Sequence, residues 1–228
     1  NIAAKKVLIN SGEDKKSIFI TGSPDIDLFD SKLRPTIKEV KKRYGIKFQK
    51  YIISFLHPVT TNSKIETTKK SNIYFETLKQ LKDINIIHFI PNNDDNSKEI
   101  LNILKKKISN KKNIKILRSM RFEFYLTLLE NCELIMGNSS SAIMEAPYFN
   151  VPSINIGDRQ SNRYGLNQIF SANFSKKSIL DSIKKAKKTK PRFILPFGKT
   201  GSAKKIINIL LSKKFNNVKV QKIYKRLR

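Results

Sequence analysis

Apolar runs and amphipathic segments alternate regularly along the middle of the chain. From Tyr51 onward, short continuous apolar runs of strand length are separated by segments whose apolar residues recur at helical spacing. Continuously apolar strands that alternate with helices are typical of a parallel sheet covered on both faces. The pattern therefore predicts an α/β fold with a doubly wound parallel sheet. The predicted strands are Tyr51–Leu56, Ile84–Ile90, Asn113–Leu117, Leu134–Met136 and Val151–Ile156, and the predicted helices between them are Ile65–Leu81, Ser97–Ile108, Arg121–Leu129 and a short one that begins at Ser139.

The segments on either side of this region are less regular. The pattern before it predicts two helices, over Asn1–Ile9 and Thr36–Gly45, and a short buried strand over Ser17–Thr21. Beyond it, helical spacing predicts helices over Lys176–Lys190 and Ala203–Leu211. A basic tail that starts at Ser212 is expected to be frayed.

Composition narrows the class of protein. The chain of 228 residues carries a net charge of +28, which normally suggests a polyanionic partner. Here the lysines are spread along the whole chain together with many Ile and Asn residues, as AT-rich coding sequence produces, so direct nucleic-acid binding is not expected. Cys132 is the single cysteine, and no apolar run approaches the roughly twenty residues that span a bilayer. These features predict a cytoplasmic protein without a membrane segment.

Each of the five predicted strands ends in a polar or glycine-bearing cluster. In a doubly wound sheet the ligand lies beyond the carboxyl ends of the strands, where such clusters meet. Chance explains one or two clusters at strand ends, but five of them predict a binding site. The clusters are His57–Thr60, Pro91–Asp94, Arg118–Met120, Gly137–Ser140 and Gly157–Gln160.

Three consecutive serines, Ser139, Ser140 and Ser141, stand where the short helix is predicted to begin. The unpaired N–H groups and the positive end of the dipole at a helix start favour an anion, so a phosphate site is one interpretation. An ordinary serine cap of the helix is the other. The spacing alone leaves both interpretations open.

Other side chains at these strand ends have the chemistry of a phosphate or hydroxyl site. His57 directly follows a predicted strand and could donate to a phosphate or transfer a proton, or it could simply bond to the next loop. Glu145 could accept hydrogen bonds from ligand hydroxyls or face solvent. Arg159 and Arg163 could pair with a diphosphate or form surface ion pairs. The sequence contains no metal-ligand cluster and no nucleotide-binding glycine motif, so no metal and no cofactor are expected.

Four motifs, ITGSPDID, FLHPVT, GNSSSAIMEAP and NVPSINIGDRQ, together resemble the hydrolysing UDP-N-acetylglucosamine 2-epimerases, a family that includes sialic-acid and legionaminic-acid pathway enzymes. The resemblance runs from about Asn1 to about Leu211. It implies a two-lobed GT-B-like fold, of which this chain is the C-terminal, Rossmann-like lobe. It also implies a reaction in which UDP is eliminated and water is added, which releases UDP and a mannosamine-type sugar.

The resemblance implies roles for the residues that match the motifs. Ser139 and Ser140, with Ser141 beside them, are expected to hold the diphosphate of a UDP-sugar. Arg159 and His57 are expected to face the phosphates, and His57 is the catalytic candidate within these residues.

Three further residues are expected to contact the rest of the nucleotide. Glu145 matches the glutamate that binds the ribose hydroxyls, Asn92 lines the same cleft, and Met120 falls where the backbone meets the uracil. The Asp-Ala-Gly that usually follows the Pro-Asn turn in the family is replaced here by Asp94–Asn96.

The resemblance also predicts how the chain is divided. Residues 1–48 are expected to connect to an N-terminal lobe outside this chain, residues 49–200 to form the UDP-binding lobe, and residues 201–228 to form a C-terminal helix and basic tail. Because the family's acidic groups for proton transfer lie on the other lobe, the chain by itself is expected to bind UDP weakly and to have no catalytic activity. A homodimer is compatible with the resemblance. Two alternatives stay open: a GT-B glycosyltransferase that uses a UDP-sugar donor, and a basic non-catalytic module that binds polyanions.

Overall fold

The computed structural model describes residues 1–160, 169–189 and 198–219. Its strands are β1 (Ile52–Phe55), β2 (Ile86–Phe89), β3 (Ile114–Leu117), β4 (Ile135–Gly137), β5 (Ser153–Ile156) and β6 (Ile169–Ala172). They form one parallel sheet of six strands in the order β3-β2-β1-β4-β5-β6. The predicted α/β fold with a parallel sheet is confirmed, and the strand order reverses between β1 and β4.

Helices of the central region pack on both faces of this sheet. The helices that the structure describes are α1 (Ile2–Asn10), α2 (Ile37–Tyr44), α3 (Lys64–Gln80), α4 (Ser97–Ile108), α5 (Phe122–Glu130), α6 (Ser141–Met144), α7 (Lys176–Lys188), α8 (Ser202–Leu210) and α9 (Lys213–Asn216). Alternate strand residues such as Ile52 and Ile154 join Tyr74 of α3, Leu104 of α4 and Ile183 of α7 in one buried core, whereas α5 and α6 lie on the other face. Among the helices that the structure describes, none combines the length and apolarity of a membrane span.

The chain divides into two compact units, Asn1–Leu33 with Leu195–Arg228 as one and Arg34–Ile194 as the other. The larger unit contains the sheet and also α2, because the Tyr44 ring packs against Phe124 of α5 with the ring centroids 5.8 Å apart. The predicted division of the chain into a connection, a UDP-binding lobe and a C-terminal tail stays a prediction. In the smaller unit, the Asp27 carboxylate accepts hydrogen bonds from the three amides that begin α8, those of residues 201, 202 and 203, at 2.6–2.9 Å.

Most predicted elements of the central region agree with the structure to within one or two residues at each end, but several details differ. The predicted strand at Ser17–Thr21 is wrong: a 3-10 turn ends at Ser17, and the following residues pair with no strand in the described part of the chain. Ile20 is 43% exposed, so the segment also lacks the predicted burial. β6 was not predicted. The helix at the serines is a single turn, since Pro147 imposes a separate 3-10 turn over Ala146–Phe149.

Some predictions fall outside the described residues. Arg163, Lys190 and the end of the basic tail beyond residue 219 belong to this group. The beginning of the tail forms α9, whose first turn is capped by the Ser212 hydroxyl.

Candidate functional site

The candidate site lies at the carboxyl ends of β1 and β4, where the strand order reverses. The chain leaves β1 toward α3 on one face of the sheet and leaves β4 toward α6 on the other face. This divergence opens a crevice between the two strand ends, which is where doubly wound proteins bind ligands. His57 follows β1 by two residues and Ser139 follows β4 by two residues, so both lie at the crevice.

A glycine allows β4 to turn sharply at this point. Gly137 adopts φ +133°, a conformation that residues with a side chain rarely take. A Cβ atom on Gly137 would lie 1.9 Å from the carbonyl oxygen of Phe55 in β1. The close contact of the two strands and the turn into the serines therefore both require glycine at residue 137.

Asn138 connects the ends of the two strands. Its Oδ1 accepts a hydrogen bond from the His57 amide at 2.7 Å, and its Nδ2 donates to the His57 carbonyl at 2.7 Å. The side chain of Asn138 is buried, with 1% of the residue exposed. The backbone of His57 is thus held on both its polar groups by one amide side chain.

The backbone carbonyl of Asn138 holds two side chains that follow β5. Arg159 donates to it through Nη1 at 3.0 Å, and Gln160 donates through Nε2 at 3.1 Å. Gln160 is 3% exposed and Arg159 is half-buried. The predicted phosphate ligand Arg159 is therefore brought to the same point as His57.

The His57 side chain is half-buried and engaged on one nitrogen. Its Nδ1 accepts a hydrogen bond from the Asn92 amide at 3.3 Å, and its ring stacks on Phe55 with centroids 5.7 Å apart. Burial, and then the nearby Arg159 charge, lower the pKa of His57 to about 4, against the opposing effects of a hydrogen bond with Asn92 and of the Asp94 charge. The imidazole is therefore neutral at pH 7, with its proton on Nε2. The contact with the next loop, one of the two predicted roles, is present and leaves Nε2–H as a donor.

The three serines have different environments. Ser141 is buried, and its hydroxyl forms a short hydrogen bond with the Tyr125 hydroxyl. The Ser139 hydroxyl accepts from the Ser141 amide at 3.3 Å, whereas Ser140, the N-cap residue of α6, makes no side-chain cap hydrogen bond. The amides of Ser139 and Ser140 donate to no acceptor within the described residues. The two backbone donors at the start of the turn are therefore the ones suited to an anion.

Glu145 lies at the end of this single turn and is half-buried. Burial raises the pKa of Tyr125 well above its ordinary value, and the negative charge of Glu145 adds to this rise. Glu145 is thus at the same edge of the sheet as the serines, one helical turn further along.

The two remaining predicted residues lie on the β2 and β3 side of the crevice. Asn92 is exposed, and its Nδ2 donates to Asp94 at 2.6 Å while its amide binds His57. Met120 is half-buried in the loop after β3, and β3 lies two strands from β1, a spacing of about 10 Å between the strands. Asn96 adopts φ +67° and donates to the Asn62 carbonyl. Asparagine adopts this left-handed conformation more readily than most residues that carry a side chain.

Three residues of this arrangement were not assigned a role from the sequence. Asn138 and Gln160 stand inside motifs that were recognised, but only their long-range hydrogen bonds show what they hold. In the sequence, Tyr125 lies among the apolar residues of a predicted helix. A buried tyrosine hydroxyl usually has a hydrogen-bond partner, and this was the signal for its role. Its partner, Ser141, is 16 residues away.

The sequence as a whole matches one protein family. The family model for UDP-N-acetylglucosamine 2-epimerase matches residues 1–211. The chain belongs to this family. A UDP-N-acetylglucosamine 2-epimerase from Neisseria meningitidis serogroup B is 41% identical over 78% of this chain and 46% of its own length. A GDP/UDP-N,N'-diacetylbacillosamine 2-epimerase (hydrolyzing) from Campylobacter jejuni is 34% identical over 70% of this chain and 42% of its own length. This family member therefore spans about half the length of these relatives.

Solved structures show the same fold. The UDP-GlcNAc 2-epimerase of Methanocaldococcus jannaschii, in complex with UDP-GlcNAc and UDP, superposes with a TM-score of 0.71 at 24% identity, over 91% of this chain and 58% of that one. The Neisseria meningitidis enzyme bound to UDP-GlcNAc gives a TM-score of 0.71 at 16% identity, over 91% of this chain and 59% of that one. The chain matches one lobe of these GT-B-like structures.

Proposed function

We propose that this chain is the nucleotide-binding lobe of a hydrolysing 2-epimerase. Its substrate is UDP-GlcNAc or a related UDP-N-acetylated sugar, and its products are UDP and a ManNAc-type sugar. The observation that carries the proposal is the meeting of His57, Arg159 and the Ser139–Ser140 amides around Asn138 at the strand-order reversal. Family membership and the two relatives named above support the substrate class.

The donors at this point suit a diphosphate. The Ser139 and Ser140 amides, the Arg159 guanidinium and the His57 Nε2–H all donate hydrogen bonds, and Arg159 adds a positive charge. Consecutive backbone amides in a tight turn form a concavity that binds anions, and guanidinium pairs well with phosphate oxygens. A nucleoside diphosphate group bound here satisfies the two serine amides.

The same donors stabilise UDP as a leaving group. When the bond from C1 of the sugar to the β-phosphate oxygen breaks, that oxygen keeps the electron pair, and donors placed in advance stabilise the developing charge. A base takes the proton from C2 to complete the elimination, and addition of water across the new double bond gives the free sugar. Because its pKa is about 4 and its Nδ1 is engaged, His57 acts on the phosphate as a hydrogen-bond donor. The proposal assigns the C2 proton transfers to groups outside these 228 residues.

The remaining contacts follow the order of the nucleotide. Glu145 accepts hydrogen bonds from the ribose hydroxyls, which its position one turn beyond the serines supports. The backbone at Met120 meets the uracil, and Asn92 lines the cleft between them. Ser141 acts through its bond to Tyr125 and supports the turn that carries Ser139 and Ser140.

UDP binding to the chain tests the site. Isothermal titration calorimetry is expected to show binding that Arg159→Ala weakens by about tenfold or more, since a hydrogen bond to a charged group contributes about 1.5–3 kcal/mol. Arg43→Ala is the matched control, because it removes the same charge from α2, where Arg43 packs over Phe124. Failure of a folded wild-type chain to bind UDP would contradict the proposal. Strongly salt-dependent binding of any polyanion, without selectivity for UDP, would instead identify the basic module.

To test the reaction type, the protein must be assayed in a form that is catalytically active. Incubation with UDP-GlcNAc and separation of the products is expected to give UDP and a free N-acetylated hexosamine. UDP bound to an epimerised sugar would show that the protein is not of the hydrolysing type. A product that forms only with an added acceptor would identify a glycosyltransferase.

A further inference from the structure

We propose that Asn138 is a positioning residue that sets the relative places of His57 and Arg159. This proposal rests on the proposed function for its consequence in UDP binding, but its geometry does not depend on any ligand. Asn138 reaches both residues through different groups, the side-chain amide for His57 and the backbone carbonyl for Arg159.

The side chain of Asn138 continues the hydrogen bonding between β1 and β4 beyond the point where the backbone pairing ends. Pairing between β1 and β4 ends with Phe55 opposite Gly137, because the turn at Gly137 carries the following backbone away from β1. The His57 amide and carbonyl thus lose their backbone partners on β4. The carboxamide of Asn138 supplies one acceptor and one donor in their place, each at 2.7 Å.

Few side chains can replace this carboxamide. Serine and alanine are too short to reach both groups of His57. Aspartate keeps an acceptor for the amide but sets a carboxylate oxygen against the His57 carbonyl. A buried carbonyl left without a donor is destabilising, so either change is expected to release the His57 loop.

The same turn frees the Asn138 carbonyl for the guanidinium. With the backbone directed away from β1, this carbonyl accepts from Arg159 at 3.0 Å and from Gln160 at 3.1 Å. One residue therefore fixes the imidazole on one side and the guanidinium on the other. After burial, the positive charge of Arg159 is the second cause that lowers the pKa of the His57 imidazole.

Titration of His57 in the ligand-free chain tests the geometry. Burial and Arg159 lower the pKa of His57, whereas the hydrogen bond with Asn92 and the Asp94 charge raise it. The Asn92 amide also donates to Nδ1 at 3.3 Å. In Asn138→Ser the His57 loop is released, whereas the backbone carbonyl that accepts from Arg159 is kept. The imidazole then becomes more exposed and moves relative to Arg159, so the pKa of His57 is expected to rise by about one unit or more toward 6.5. The chain has only two histidines, and the second, His88, is fully buried, so imidazole NMR signals separate them directly.

Asn113→Ser is the matched control. Asn113 likewise makes two long-range hydrogen bonds with its carboxamide, in which Nδ2 donates to the carbonyls of Leu81 and Ile84 at 2.8 Å, but it lies at the opposite end of the strands. This control is expected to lose stability and to keep the His57 titration of the wild-type chain. A merely structural role for Asn138 predicts the same unchanged titration, and that result in a folded Asn138→Ser variant would overturn the proposal.

Two further measurements complete the test, and the first needs no variant. In the wild-type chain, the Asn138 side-chain amide protons are expected to exchange slowly with solvent, and exchange at the rate of a free amide would overturn the proposal without any variant. UDP affinity is expected to fall about tenfold in Asn138→Ser. If the wild-type chain does not bind UDP, the proposed function fails, while the titration still decides the role of Asn138.

Discussion

Gly137→Ala is expected to be among the most damaging single-methyl changes in the sheet. The added Cβ would lie 1.9 Å from the Phe55 carbonyl oxygen and 2.8 Å from its carbonyl carbon. Both atoms belong to the backbone of β1, so no side-chain rotation relieves the contact. The strands must separate by more than an ångström, which also pulls Asn138 away from His57.

Backbone strain and overpacking both contribute to the expected loss of stability in Gly137→Ala. A non-glycine residue at φ +133° costs about 1–3 kcal/mol in backbone strain, and the overpacking adds about 1–3 kcal/mol. The free energy of unfolding is therefore expected to fall by about 4 kcal/mol, a large part of the 5–15 kcal/mol typical of a domain. For a domain of this size that corresponds to a fall in Tm of about 8–16 °C.

Gly45→Ala is the matched control in the same unit. Gly45 ends α2 at φ +60°, but a Cβ there meets only the flexible end of Lys115, at 3.5 Å. Its cost is expected to be backbone strain alone, about 1 kcal/mol. Urea denaturation followed by circular dichroism compares the two variants. Equal losses of stability in both would refute the steric reasoning, and unchanged UDP binding by a folded Gly137→Ala chain would refute the link from this turn to the site.

Three other changes test separate parts of the molecule. Burial lowers the pKa of His57 to about 4 and of His88 to about 3, so below pH 6.5 the unfolded chain binds more protons than the folded chain. Urea denaturation should therefore show that the free energy of unfolding falls from pH 6.5 toward pH 4, and a free energy independent of pH would contradict this. Tyr125→Phe leaves the buried Ser141 hydroxyl unpaired and should cost about 1–2 kcal/mol in the same assay. Asp27→Asn should speed amide hydrogen exchange in α8, and unchanged exchange would show that the carboxylate does not hold that helix.

The central strands and helices could be predicted because their signals are local. An apolar run such as Tyr51–Leu56 or a helical repeat such as Ser97–Ile108 carries its own periodicity, and the structure places β1 and α4 there. The alternation of the two kinds of segment then determines a parallel sheet. Because parallel strands end at the same edge, the sequence also locates the candidate site.

The errors lie where a strand depends on its neighbours. Ser17–Thr21 is apolar enough for a strand but has no partner in the described chain, so it stays unpaired. Ile169–Ala172 is an edge strand and therefore half exposed, with too short an apolar run to be recognised, yet pairing with β5 makes it a strand. Pairing is a property of two segments, and neither sequence shows it alone.

The chemistry of the site divides in the same way. Residue types were enough to propose Ser139, His57 and Arg159 as phosphate ligands, since serine turns, imidazole and guanidinium each have a recognisable affinity for phosphate. The tertiary structure alone shows Asn138 between His57, 81 residues away, and Arg159, 21 residues away. Hydrogen bonds of that range depend on how the strands are ordered in the sheet, and the strand order is set by packing of the whole chain.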